Sequence, residues 1–152
     1  MPPHNASSWK KLASDLAPDG VFGQPASEDR ISAVEMDLGI RLPSPLREFL
    51  GEANGLIADY GSRVVWSTSD ITGRNREFRA SEDFRRLYMS FSTLLFFGDD
   101  VGEDQYALAI QADGHIHKRD IYRWDHETDS RLWFAARLEQ YLEKRLKPRD
   151  EE

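Results

Sequence analysis

Cysteine is missing from this chain. Its absence removes a disulfide scaffold, a thiolate zinc site and a cysteine nucleophile in one step. Long apolar runs are missing too: no stretch approaches the roughly 20 residues that a bilayer-spanning helix needs. Met1-Pro2-Pro3-His4-Asn5 has no basic run leading into an apolar one, so a secretory signal is not expected and the expected location is the cytoplasm. There is no internal repeat and no low-complexity segment. Nor is there an excess of basic residues, since the formal net charge is −7. A surface of that sign repels phosphate backbones and anionic headgroups, which argues against direct nucleic-acid or membrane binding and in favour of a basic partner.

What is present suffices for one domain. A chain of 152 residues can bury roughly two-thirds of the surface its unfolded form exposes, so it needs no metal or disulfide to hold it together. Its charge is unevenly spread. Between residues 98 and 129 nine acids (Asp99, Asp100, Glu103, Asp104, Asp113, Asp120, Asp125, Glu127, Asp129) face three bases (Lys118, Arg119, Arg123), a net −6, which leaves −1 for the remainder.

Periodicity sets out the elements. Trp9, Leu12, Ala13 and Leu16 fall on one helical face. Ser7 or Ser8 is placed to cap that helix, and Pro18-Asp19-Gly20 to end it. Ser27 caps a second helix whose first turn carries Glu28 and Asp29, where the helix dipole favours carboxylates; Ile31, Val34 and Leu38 form its apolar face and Gly39 stops it. Ser44 and Pro45 suit the start of a third helix with Leu46, Phe49, Leu50 and Ala53 as its stripe, closed by Asn54-Gly55. Arg63 to Trp66 reads as a short strand, and Ser81-Glu82-Asp83 opens a helix through Phe84 and Leu87. Strands are expected near 94–98, 104–111 and 116–125, with Asp113-Gly114 as a hairpin turn. A last helix is expected near 131–146, followed by a charged tail at 148–152. Helices first, then a strand meander, then a closing helix predict an α+β fold: a mainly antiparallel sheet packed against N-terminal helices.

Three blocks of this pattern carry a resemblance. The first runs Ile31-x-x-Val34-Glu35-x-x-Leu38-Gly39-Ile40-x-Leu42-Pro43-x-x-Leu46-x-x-Phe49-Leu50-x-x-Ala53-Asn54-Gly55. The second is Leu95-Phe96-Phe97-Gly98-Asp99-Asp100-x-Gly102-Glu103-Asp104-x-Tyr106-Ala107-Leu108, and the third Ile121-Tyr122-x-Trp124-Asp125-His126-Glu127-x-Asp129. In this order and spacing, over about residues 28–146, they resemble the SUKH superfamily, in the branch of yeast cell-wall-synthesis regulators and many bacterial immunity proteins. The resemblance implies a non-catalytic domain spanning 27–147, with residues 1–26 as an extension outside the family pattern. It also implies a protein partner. For the immunity branch this is a polymorphic toxin, often a nuclease; for the fungal branch it is an intracellular scaffold or regulatory role.

Candidate chemistry is thin beside that reading. The turn Gly98-Asp99-Asp100-Val101-Gly102-Glu103-Asp104 is acidic, but it lacks the ligand spacing and distal Glu of a calcium loop, so it reads as a partner-binding loop. His115 and His117 share a strand face, and with Asp120 or His126 would supply a nitrogen–oxygen metal site; both follow a turn where exposed His is ordinary, so no metal is expected. Trp124-Asp125-His126-Glu127 places carboxylates beside a His without an identifiable nucleophile, so no catalytic residue and no cofactor is assigned. Arg74, Arg76, Arg79, Arg85 and Arg86 form a local basic cluster interrupted by Glu77, Glu82 and Asp83, which reads as a partly ion-paired surface. The expected partner surface is therefore Asp99, Asp100, Glu103 and Asp104, then Asp125, Glu127 and Asp129, with Trp66, Tyr106 or Trp124 as aromatic anchors.

Overall fold

A computed structural model describes residues 8–58 and 61–146; Ser7 and the tail at 148–152 lie outside them. The chain opens with helix α1 (Ser8–Leu16), the two-residue strand β1 (Val21–Phe22), and helices α2 (Glu28–Leu38) and α3 (Ser44–Glu52). The Ser27 hydroxyl accepts the Arg30 N–H at 3.2 Å and so caps α2, while Gly39, at φ 68°, sends its N–H back to the Glu35 carbonyl. The third helix starts one residue earlier than expected: Pro43 takes the capping position, without a side-chain bond, and Ser44 is already helical. Asn54 does more than end α3. Its side-chain oxygen accepts the Thr68 N–H at 2.8 Å and so holds the start of a helix 14 residues on.

That helix, α4 (Thr68–Ala80), follows strands β2 (Leu56–Ala58) and β3 (Ser62–Val65) and leads into α5 (Glu82–Leu87), which Ser81 caps. No periodic stripe announces α4, because it buries only Thr68, Ile71 and Asn75. Its anchor is polar. The buried Asn75 amide donates to the Ile71 and Phe96 carbonyls, and its oxygen accepts the Phe96 N–H at 2.9 Å. A continuous aromatic layer completes the join: Phe78 lies 5.2 Å from Phe96 between ring centroids, Phe91 5.3 Å from both Phe96 and Trp124, and Tyr88 5.0 Å from Trp124.

The second half is a meander of strands β4 (Leu94–Asp99), β5 (Gln105–Ala109), β6 (Ile121–Trp124) and β7 (Arg131–Ala135), closed by helix α6 (Leu138–Leu146). The seven strands form two antiparallel sheets, β1-β2-β3 and β4-β5-β6-β7. The Trp66 N–H to Phe97 carbonyl bond, 2.7 Å long, ties β3 to β4 across the junction. The fold is thus α+β and antiparallel, as the pattern predicts.

Three local expectations need correction. Residues 131–135 are a strand and not the start of the last helix: Trp124 pairs with Arg131 and Ile121 with Ala135. The segment Arg131-Leu-Trp-Phe-Ala135 leaves Leu132 and Trp133 exposed and carries no helical stripe of its own. The returning strand is confined to 121–124, because residues 110–120 form a long arm whose tip is turned by Gly114 at φ 82°. A single parallel bridge from Arg41 to His115 ties that arm down. Finally, the strand expected over 104–111 runs only over 105–109, and Gln105 to Leu108 are all buried, so β5 is covered on both faces.

Gly98 is a point of close approach. A Cβ there would stand 2.4 Å from the Val64 carbonyl oxygen and 2.5 Å from the Tyr141 hydroxyl, whereas a Cβ on Gly73 of α4 meets nothing within 4 Å. Gly98→Ala is therefore expected to cost about 2 kcal/mol or more by overpacking. Gly73→Ala should add roughly 0.5–1 kcal/mol by helix propensity. Urea midpoints of the two variants should move in opposite directions, and a stable Gly98→Ala protein would show that β4 can shift away from β3.

Candidate functional site

The seven acids of the 98–104 loop and the 125–129 turn lie at one end of the meander, and four of them turn inward. Asp99 closes β4. Its carboxylate accepts the Arg63 N–H at 3.2 Å and the Trp66 indole N–H at 3.1 Å, with the Arg63 guanidinium 3.6 Å away. Beneath it the Arg145 guanidinium donates to the Asp99 carbonyl and the Tyr141 hydroxyl, each at 2.7 Å, and that hydroxyl donates to the Val64 carbonyl at 2.6 Å. Burial pushes the Tyr141 phenol far above its ordinary value, so it stays a neutral donor.

Asp100 folds its own loop. One carboxylate oxygen takes the Gly102 and Asp104 N–H groups at 2.9 and 3.1 Å, and the other takes the Tyr106 hydroxyl at 3.3 Å. Asp104 joins two turns. Arg123 reaches one of its oxygens through Nε at 2.9 Å and a terminal nitrogen at 2.7 Å, and His126 Nδ1 lies 3.0 Å from the other. Burial alone would raise the Asp104 carboxyl, but the His126 and Arg123 bonds outweigh it and hold it below the ordinary range. The same Asp104 bond raises His126 above its ordinary value against the opposing effect of desolvation, and the charges of Asp104, Glu127 and Glu103 add to the rise. Asp129, at φ 62°, gathers the Trp124 indole N–H at 2.6 Å, the Met89 N–H at 2.9 Å and Arg131.

Four of the seven expected acids, Asp99, Asp100, Asp104 and Asp129, are thus internal braces, each side chain less than a fifth exposed. Glu103 and Glu127 are exposed, and Asp125 is half-buried. The aromatic anchors need correction. Trp66 is 0 % exposed, Trp124 2 % and Tyr106 3 %, so their rings are committed to the core and offer a partner no free face. The arginines that pair with the inner acids, Arg63, Arg123 and Arg131, carry no signal in sequence spacing: Arg63 meets Asp99 from 36 residues away.

The remaining chemical candidates resolve into local bonding. His117 Nε2 lies 2.7 Å from the exposed Asp113 carboxylate and stacks near His115. Among the described residues, the side chains that bring three ligating atoms within 4.8 Å of one another are Asp104, Asp125 and His126, not the 115–117 pair. Both Asp104 oxygens are already occupied by Arg123 and His126. Asp125 accepts the Glu127 N–H at 2.9 Å and shapes its own turn. Of the basic cluster, Arg79 donates to the Leu94 carbonyl, Arg86 faces Glu82, and Arg74 lies over the Trp66 ring at 5.3 Å, so these side chains do not form one basic stripe.

Beside the 98–104 loop opens a cleft of about 540 Å³. From the loop side it is lined by Asp99, Asp100, Val101, Glu103 and Gln105, from the helix side by Arg74, Phe78, Phe84 and Tyr88, and from β3 by Arg63, with Trp124 and His126 also in the lining. Two buried side-chain oxygens of residues lining it have no hydrogen-bond partner, Gln105 Oε1 and Ser62 Oγ.

Residues 25–144 match the SMI1 / KNR4 family (SUKH-1). No curated protein is similar enough to match. Among the described residues no helix is long and apolar enough to cross a membrane.

The Asp104–His126 pair has a pH signature. A His raised in the folded state contributes stability that is fully present below its unfolded value near 6.5 and is lost as pH rises through the folded value. The imidazole of wild type should therefore titrate above its ordinary range by NMR, and in Asp104→Asn it should fall back. An unchanged midpoint in Asp104→Asn would mean that His126 does not sense this carboxylate.

Proposed function

The chain belongs to the SMI1 / KNR4 family (SUKH-1), and from that membership we propose that it is a non-catalytic binding domain of the immunity type. On this reading it recognises a basic surface on a cognate toxin domain in the same cell and holds that domain inactive. The observation that supports the reading is the division of labour among the acids. Asp104 ties the 98–104 loop to the 125–129 turn, so Glu103 and Glu127 stand on a braced base while the inner carboxylates are neutralised. A preorganised charged rim spends little ordering entropy on binding and speeds encounter with an oppositely charged partner. Glu103, Asp125 and Glu127 are the contact residues proposed, with the exposed Val101 as an apolar neighbour.

The experiment uses a purified, catalytically inactive toxin domain as partner. Glu103→Lys combined with Glu127→Lys should slow association about tenfold or more at low salt and flatten its salt dependence. Fold stability should move by no more than about 0.5 kcal/mol, because neither side chain is buried. Asp99→Lys is expected instead to unfold or strongly destabilise the protein, since it places a cation against Arg63 and leaves the Trp66 indole unpaired. Unchanged rates in the folded double variant would remove the acidic rim from the binding reaction. A tight complex in which an active toxin keeps its activity would replace inhibition by a scaffold or regulatory role.

A further inference from the structure

We propose that the cleft between the 98–104 loop and helices α4 and α5 receives an arginine side chain of the bound protein. The inference deepens the binding reading above and rests on it for the identity of the partner as a protein.

The chemistry of the cleft specifies a cation that donates hydrogen bonds. Glu103 on the loop wall is exposed, and among the described residues its carboxylate has no side-chain partner, whereas Asp99 and Asp100 are already satisfied. Gln105 is 7 % and Ser62 2 % exposed, and each carries an oxygen with no donor. The Gln105 carbonyl oxygen is an acceptor only, so its missing partner has to be an N–H or O–H group. Gln105 lines the cleft, and its amide nitrogen donates to the Glu103 carbonyl at 3.3 Å, which leaves the oxygen as the unsatisfied end of the amide. Phe78, Phe84 and Tyr88 give the helix side aromatic rings, against which a guanidinium packs well. Arginine combines these features: a planar fork for carboxylate and amide oxygens, a weakly hydrated cation, and a flat face for stacking.

The two guanidinium groups in the lining, Arg63 and Arg74, set the limit of the site. Arg63 is spent on Asp70 and Asp99, at 3.5 and 3.6 Å. Arg74 is stacked on Trp66 and has no carboxylate partner among the described residues. It therefore opposes an incoming cation, and neutralising it should strengthen binding. That sign separates an arginine-binding cleft from an anion-binding one, where Arg74 would be the principal contact.

The test needs only the chain itself and three probes, read by the NMR shifts of the Trp124 and Trp66 indole N–H groups. N-acetyl-arginine amide should bind ~5-fold more tightly than its neutral isostere N-acetyl-citrulline amide, as expected for a partly exposed cation with one charged and several aromatic contacts. Glu103→Gln should erase that preference, and Arg74→Gln should increase it. Equal binding of the arginine and citrulline probes overturns the proposal. So does stronger binding of N-acetyl-glutamate amide, a loss of arginine binding in Arg74→Gln, or the absence of any probe-induced shift. Because the probes report on the free chain, their failure leaves the acidic-rim reading to be decided by the association rates, and slow association in the rim variant says nothing for the cleft.

Discussion

A single buried carboxylate holds the two sheets in register. Asp99 is only 9 % exposed, yet it takes a backbone N–H from β3, an indole N–H from Trp66 and the guanidinium of Arg63, while its carbonyl receives Arg145 from the last helix. Carboxylates are costly to bury unless they are hydrogen-bonded and paired, and here each oxygen accepts an N–H with the Arg63 guanidinium alongside. Gly98 makes this possible, since only a residue without a Cβ lets β4 pass close enough to Val64 and Tyr141 for the next residue to reach across. The acidic loop, the cleft and the end of α6 all take their positions from this node.

The node changes the meaning of the charge distribution. A net −6 in 32 residues, 98 to 129, suggests an acidic face, but Asp99, Asp104 and Asp129 are paired inside the fold with Arg63, Arg123 and Arg131 from β3, β6 and β7. At the end of the meander, the acids fully open to solvent are a short rim, Glu103 and Glu127, on a braced support. Inner acids give rigidity and outer acids give the field. The two roles require opposite environments, so residues adjacent in sequence are divided between them.

The polar wiring also explains the part of the molecule with the fewest apolar residues. Helix α4 buries little hydrophobic surface of its own, but Asn54 caps its start and Asn75 stitches its middle to β4. The aromatic layer under α4 and α5 then does double duty: it packs the helices on the sheet and forms one wall of the cleft.

Local periodicity and punctuation, readable in the chain alone, determined α1, α2, α3, α5, β4 and β5 closely, because their caps, stripes and turn residues all lie within a few positions of one another. Gly39 at the end of α2 and Ser27 at its start are examples. The same local signals place the family pattern over residues 25–144. Tertiary structure alone decided that 131–135 is a strand, since its partner β6 supplies the hydrogen bonds that its own side chains do not ask for. It fixed α4, which has a local Ser67 cap but no apolar stripe, through two asparagine pairings spanning 14 and 21 residues. It likewise decided which carboxylates are free. An aspartate's neighbours in sequence say that charge is present; whether that charge faces water depends on an arginine brought from as far as 36 residues away, and no local pattern encodes that distance.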